Sequence, residues 1–331
     1  MPPDRILYLC AREVARALER VDVVEAVASA LAAHARGESV LPAEAHLAWE
    51  HAGRPLRSLS MPGAVEGWPG VKLINASPGN AARGLPRASG LTVLFDEATG
   101  RPAAVLEGAR ISCLRTAAAT AVAVDLLGAA PIWRMALLGA GALARCHLEL
   151  LLPRLPELRD VRLYDVDAAR AEALAAEVGP ARARGSAAEA IRGADLVVAV
   201  TTARSGYIRH GWLAPGALVV NVSLDDALPE VVLRADRVFV DDWALVAADP
   251  HRLLGGMIRA GRIRSPDGPG DGARPIDGEL GEILIGARPG RSRPEEIILV
   301  NPFGLAIEDI AVARRVYRRA LQLGLGTSLE R

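Results

Sequence analysis

Aromatic residues are scarce in this chain, with 3 Phe, 4 Tyr and 5 Trp among 331 residues. Its core must therefore be built from Leu, Val, Ile and Ala, a set that also favours helices. The three cysteines, Cys10, Cys113 and Cys146, form no CxxC pair and no metal-ligand spacing, and a reducing cytoplasm is the natural setting. The six histidines show no HExxH or related spacing and there is no GxSxG elbow, which leaves metallohydrolase and serine-hydrolase chemistry without a basis. No excess of charge exists, since Lys+Arg and Asp+Glu both number 39, and a chain without a basic surplus does not read as a binder of nucleic acid. Apolar runs such as 196–200 and 217–220 are far too short to span a bilayer, and no basic start, apolar run and cleavage site follow one another at the N-terminus. Lysine is the most pointed shortage: Lys72 is the only one, every other basic residue being arginine. A compact ammonium, whose pKa moves readily on burial, is thus retained at one position of a chain that has otherwise exchanged it.

What is present divides into two patterns. Asp22 with Glu25 forms a capping box before a helical stretch (Val24, Val27, Ala28, Leu31) that Gly37 can stop. From about 54 to 107 the pattern is short strands, Val71–Asn75, Leu91–Phe95 and Ala103–Leu106, with 96–100 as a hairpin loop. Residues 109–127 read as a helix with Ser112 as its N-cap, which would put Arg115 and Thr116 in its first turn. After the breaker at 128–131 strands and helices alternate: strands at 135–138, 161–165, 195–200, 217–222, 238–240 and 297–300, with helices at 139–152 and 168–178 between them. That alternation predicts a parallel, doubly wound sheet beside a smaller α+β unit. Residues 261–278, rich in Gly, Pro, Arg and Asp, read as a mobile surface loop, and 305–323 as an amphipathic helix.

The sharpest motif is Gly139-Ala140-Gly141-Ala142-Leu143-Ala144, the G-x-G-x-x-A form of the dinucleotide fingerprint, placed after a strand and at the start of a helix. Gly139 permits a tight turn, Gly141 admits the pyrophosphate, Ala144 lets helix and sheet approach, and the helix N-terminus offers free N–H groups to the phosphates. Asp165 ends the next strand, where an acid would bind the ribose hydroxyls and repel a 2′-phosphate, favouring NAD over NADP. Thr201 and Thr202 follow the 195–200 strand, at the edge where ligands collect. Asp225 and Asp226 follow the 217–222 strand, and one of them is a candidate general base; a turn-capping acid is the alternative. Lys72 in a strand interior, Arg57 on an earlier strand and Arg115 near a helix N-terminus are cations that a substrate carboxylate would compensate.

Together these residues resemble the ornithine cyclodeaminase/mu-crystallin family over nearly the whole chain. The resemblance rests on Met61-Pro62, Lys72-Leu73-Ile74-Asn75, Pro78-Gly79-Asn80, Gly84-Leu85-Pro86, Arg115-Thr116-Ala117-Ala118, the fingerprint, and Gly304-Leu305-Ala306-Ile307-Glu308-Asp309. Within it, the stretch 76–89 and Ser223-Leu224-Asp225-Asp226 with Pro229-Glu230 look like the dehydrogenases of 2,3-diaminopropionate biosynthesis. The resemblance implies an NAD-dependent enzyme that oxidises the C–N bond of an amino acid such as N-(2-amino-2-carboxyethyl)-L-glutamate. Arg57, Met61, Lys72 and Arg115 would bind substrate, with Asp226 and Lys72 in the chemistry. Thr116, Thr201, Ser223 and the Gly304 loop would lie at the cofactor. It also implies a homodimer, and a first domain (1–115 with 306–331) that the chain leaves for a Rossmann domain (116–305) and rejoins. One departure matters: cyclodeaminases of the family carry glutamate two residues before the methionine of Met61-Pro62, and this chain has Leu59. Ornithine cyclisation, alanine-type dehydrogenation, imine reduction and a non-catalytic ligand-binding role remain the alternatives.

Overall fold

The computed structural model describes residues 5–269 and 272–330. Its chain forms two compact units, one of Met1–Arg115 with Leu305–Arg331 and one of Thr116–Gly304. The first begins with strand β1 (Arg5–Leu9) and helices α1 (Ala11–Leu18) and α2 (Val23–Ala35). Asp22 caps α2 by accepting from the Glu25 N–H at 2.9 Å, and Gly37 leaves the helix at φ +73°. Strands β2 (Ser39–Val40), β3 (Ala45–His51), β4 (Arg54–Val65), β5 (Trp68–Ala76), β6 (Ala88–Phe95) and β7 (Pro102–Glu107) follow. Strands β3 and β1 have no counterpart in the sequence reading, and β4 is longer than Arg57 and Met61 alone suggested.

Helix α3 (Ala109–Leu127) starts four residues earlier than Ser112 as N-cap would allow. Glu107 accepts from the Ala109 N–H instead, at 3.1 Å. Arg115 is therefore in the second turn, and the unfavourable interaction with a helix N-terminus inferred for it does not arise.

The second unit carries β8 (Arg134–Leu138), α4 (Ala142–Leu151), β9 (Asp160–Tyr164), α5 (Ala168–Glu177), β10 (Ala181–Ala183), α6 (Ala187–Ile191), β11 (Leu196–Ala199), β12 (Leu218–Asn221), α7 (Pro229–Arg234), β13 (Arg237–Val240), α8 (Trp243–Ala248) and α9 (Leu253–Arg259). Next come the short pair β14 (Ile263–Arg264) and β15 (Arg274–Pro275), then β16 (Gly278–Glu279), α10 (Leu280–Leu284) and β17 (Ile298–Val300). The stretch expected as a mobile loop thus contains a parallel two-stranded ribbon; residues 270 and 271 of it lie outside the described residues. The main sheet has the order β10-β9-β8-β11-β12-β17-β13-β16 and every pairing in it is parallel. Its central strands β11, β12 and β17 are buried at every residue, as sheets covered on both faces require. The chain winds outward from β8 through β9 to β10, then returns to β11 on the other side of β8. The crevice beyond the carboxyl ends of β8 and β11 is the switch point of this Rossmann-type sheet.

Finally α11 (Ala306–Leu323) and β18 (Thr327–Glu330) complete the first unit. Its sheet runs β18-β1-β7-β6-β5-β4-β2, with β3 also on β4. Helix α11 seats closely on this sheet because Gly63 and Gly70 face each other across β4 and β5. A Cβ on Gly70 would meet Val93 O at 2.8 Å and Ile310 Cγ1 at 3.1 Å, and one on Gly63 would meet Ile307 and Ile310 at 3.3 Å. Two absent side chains thus set how near the first turn of α11 comes to β4 and β5. No helix among the described residues is long and apolar enough to cross a membrane.

Candidate active site

In the second unit the fingerprint turn is built as its glycines demand. Gly139 takes φ +97°, and a Cβ on it would lie 2.7 Å from Val200 O, so the end of β11 tolerates only glycine there. Gly141 is the N-cap of α4 and has open space around it, a gap that a phosphate can enter and a side chain would fill. Ala142 is exposed, Leu143 half-buried and Ala144 fully buried. Asp165 stands just past β9, where its Oδ2 accepts from Ala140 N–H at 2.8 Å and its Oδ1 from Asp167 N–H at 2.9 Å. Each carboxylate oxygen accepts more than one donor, so Asp165 shapes the turn and keeps capacity for hydroxyls. These residues fit a dinucleotide. Behind the turn, His147 is fully buried: its Nδ1 lies 2.7 Å from Leu143 O and its Nε2 2.9 Å from Thr120 Oγ1. Only Nδ1–H can face a carbonyl, so Nε2 accepts from the threonine and the ring is neutral. Burial lowers its pKa to about 4.

The carboxyl edge separates the two adjacent aspartates. Asp225 pairs with Arg252 at 2.7 Å and accepts from Leu253 N–H at 3.0 Å, which is the turn-capping role. Asp226 is fully buried and accepts from Thr201 Oγ1 at 2.5 Å and from Ser223 Oγ. Ser223 Oγ also lies 3.0 Å from Ala199 O and accepts from Thr201 N–H at 3.1 Å. A hydroxyl has one proton, which decides what this arrangement can do. With Asp226 ionised, Ser223 donates to it. With Asp226 protonated, the acid donates to Ser223, which donates on to Ala199 O. Both states are satisfied without moving a heavy atom, as a group that takes and returns a proton needs. The Tyr207 hydroxyl is shut off from solvent without a well-aligned partner; burial and then the charge of Asp226 raise its pKa.

Sequence reasoning missed two supports of this edge. Asp241, fully buried at the end of β13, accepts from Phe303 N–H at 2.8 Å and Gly304 N–H at 2.6 Å, fixing the Gly304 loop at φ +93°. Desolvation raises its pKa against those hydrogen bonds. Asn221 Nδ2 donates to Asn301 Oδ1 at 2.7 Å, tying the ends of β12 and β17. In sequence the available signal was a polar residue in or just past the last position of an apolar strand. Thr116 is half-buried on α3, the first residue of this unit.

In the first unit Lys72 is 3% exposed, directly across from the buried Met61 on the face that α11 covers. Its Nζ donates to Ser112 Oγ at 2.8 Å and to Asp309 Oδ2 at 3.1 Å. Arg115, also buried, pairs with Glu308 at 2.8 Å and with Asp309 at 3.1 Å. Two cations thus face two carboxylates, and Glu44, whose pKa burial raises, lies close enough to feel Lys72 and Arg115. The ammonium's pKa falls to about 8, from burial first and Arg115 second, with Asp309 opposing. Arg57 shares this face of β4 but is exposed and lies four residues from Met61, roughly 13 Å along the strand. It does not join the cluster. The compensating acids were not identified from sequence as partners; adjacent acids in a helix turn that is buried all round were the available signal.

The family profile of ornithine cyclodeaminase/mu-crystallin matches residues 6–324. An N-((2S)-2-amino-2-carboxyethyl)-L-glutamate dehydrogenase of Staphylococcus aureus (strain NCTC 8325 / PS 47) is 30% identical over 318 residues, 92% of each chain. The crystal structure of CmnK superposes with a TM-score of 0.91 at 39% identity, covering 99% of this chain and 98% of that one. The Delta(1)-pyrroline-2-carboxylate reductase of Thermococcus litoralis, solved with NADH and L-proline, gives 0.85 at 27% identity over 97% and 99%. Fold, fingerprint turn and whole-length match agree: this chain belongs to the ornithine cyclodeaminase/mu-crystallin family.

Proposed function

We propose that this protein is an NAD-dependent amino-acid dehydrogenase that oxidatively hydrolyses N-(2-amino-2-carboxyethyl)-L-glutamate to 2,3-diaminopropionate and 2-oxoglutarate. The observation that carries the reading is the hydroxyl-cradled, fully buried Asp226 in the same sheet edge as the Gly139 turn. The S. aureus relative, named for this substrate, supports the choice of amino acid. NAD bound at the turn supplies a hydride acceptor for the substrate's α-carbon. Lys72 and Arg115 hold the substrate carboxylate and so orient that carbon. Asp226 takes a proton from water as the oxygen adds to the carbon–nitrogen double bond left on the substrate. It returns the proton to nitrogen as the C–N bond breaks, releasing the 2-oxo acid and the amine. Thr201 and Ser223 hold Asp226 through both states.

Leu59, half-buried on the face that carries Met61, supplies no carboxylate where cyclodeaminases of the family have one, which favours net oxidation over cyclisation. The functional unit in this reading is a homodimer. Leu47, Trp49, Leu73 and Leu91 all lie on the sheet face opposite Lys72, at 62%, 42%, 37% and 38% exposure, an apolar surface suited to a second copy.

The test is a panel of amino acids and N-(carboxyalkyl) amino acids with NAD, read by NADH formation and product mass. The expected result is steady NADH with 2-oxoglutarate from the named substrate, and loss of turnover in Asp226→Asn. Cyclisation regenerates NAD, so product without NADH accumulation defeats the proposal, as does full turnover in Asp226→Asn.

A further inference from the structure

The second unit contains a cavity of about 400 Å³ whose walls do not include Asp226, Thr201 or Ser223. That volume lies in the range of small-molecule sites. Three guanidinium groups line it, Arg204, Arg252 and Arg262, against one acid, Asp225. Asp225 is engaged by Arg252 at 2.7 Å. Arg204 and Arg262 are exposed and form no ion pair among the described residues. The lining thus carries two positive charges with no acid partner among the described residues, gathered around a concave space that an anion can enter from solvent. Leu253, Met257 and Ala260 add apolar lining. Forked cations around a hydrocarbon-lined hollow match a short carbon skeleton bearing two or more carboxylates, each held by a guanidinium fork.

The cavity also has a route to the chemistry. Arg252 holds Asp225, and the next residue is Asp226. Just before them Leu224 sits at φ +74°, a conformation that a leucine rarely adopts and that its surroundings must impose. Asp226 O is fixed by the N–H groups of Tyr207 and Ile208 at 2.8 and 2.9 Å. An anion at Arg252 competes with Asp225 for the guanidinium and removes one of the restraints on this segment.

We propose that this cavity is a second site, for a small di- or tricarboxylate, whose occupation lowers turnover by drawing Arg252 away from Asp225. The effect on turnover rests on the function proposed above; the binding site does not. Calorimetry on the full-length protein with citrate, 2-oxoglutarate and inorganic phosphate tests it, alongside Arg204→Gln/Arg262→Gln and Lys72→Met. The double variant is expected to bind citrate at least about tenfold more weakly, the loss of charge-assisted hydrogen bonds, while turnover without citrate is unchanged. Lys72→Met is expected to bind citrate like the parent protein while losing turnover. Equal citrate affinity in the double variant, or no citrate binding by the parent, overturns the site. Loss of citrate binding in Lys72→Met assigns the anion to the Lys72 cluster and also overturns it. Phosphate binding as tight as citrate overturns the carboxylate assignment. Citrate that binds through Arg204 and Arg262 yet leaves kcat and KM unaltered overturns the regulatory half. A protein with no dehydrogenase activity that still shows the binding pattern keeps the site and loses only the function.

Discussion

Raising the pH from 7 to 9 is expected to weaken capture of the substrate carboxylate about tenfold, because Lys72 is the group that loses its charge in that interval. Its ammonium is nearly sealed from water, shares Asp309 with Arg115, and titrates at about 8 rather than 10.5. For a pKa of about 8, the charged fraction falls from about 0.9 at pH 7 to about 0.1 at pH 9, and kcat/KM falls with it if only the ammonium form binds the anion. A bound carboxylate adds a negative charge and favours the protonated amine, so the alkaline limb of kcat should lie above that of kcat/KM. The assay is initial rates across pH 6.5 to 10 for the parent protein and for Lys72→Arg. A guanidinium stays charged throughout, so the alkaline limb should vanish in Lys72→Arg whatever its absolute rate. The same shift has a sign in stability: the folded state releases this proton first, so unfolding free energy rises with pH between about 8 and 10.5, by about 3 kcal/mol. Lys72→Met should lack that rise. A flat kcat/KM profile from pH 7 to 9.5, or an unchanged limb in Lys72→Arg, refutes the reasoning.

Three further outcomes follow from the geometry. Ser223→Ala is expected to lower kcat about tenfold through loss of one charge-assisted hydrogen bond, with Ser223→Thr recovering most of it; a fall in NADH affinity with kcat intact would instead make Ser223 a cofactor ligand alone. Gly139→Ala forces a side chain into a left-handed turn and to 2.7 Å from Val200 O, so NADH titration should show binding lost and urea unfolding a deficit of about 2 kcal/mol or more. His147 binds its proton only near pH 4 when folded but near 6.5 when unfolded, so stability present above pH 6.5 is lost as pH falls toward 4, by about 3 kcal/mol. Urea midpoints at pH 7 and 4.5 should show that loss in the parent protein and a smaller one in His147→Asn.

Local chemistry was legible in the sequence wherever a residue's role depends on its near neighbours. The apolar runs of β8, β11 and β12 read as buried strands because a sheet covered on both faces leaves no alternation. The turn at 139–144 read as a cofactor turn because glycines are required one by one at a strand-to-helix corner. Even Lys72 stood out through its rarity. The ends of elements were less legible: Ser112 read as an N-cap on local propensity, yet Glu107 reaches the Ala109 N–H, and Ser112 faces Lys72 instead.

What tertiary structure alone decided is the partnering of charges. Arg115 lies 193 residues from Glu308, and Lys72 237 from Asp309, and no local spacing could pair them. The approach of α11 to β4 and β5, permitted by Gly63 and Gly70, brings those acids to the cations. A cluster that read as bare positive charge is thereby balanced. Likewise Asp225 and Asp226 are equivalent as letters. The fold buries Asp226 beside two hydroxyls and pairs Asp225 with Arg252, so the two carboxylates meet different donors. Sequence fixes which groups exist; the dielectric around each, and the donor it meets, come only with the fold.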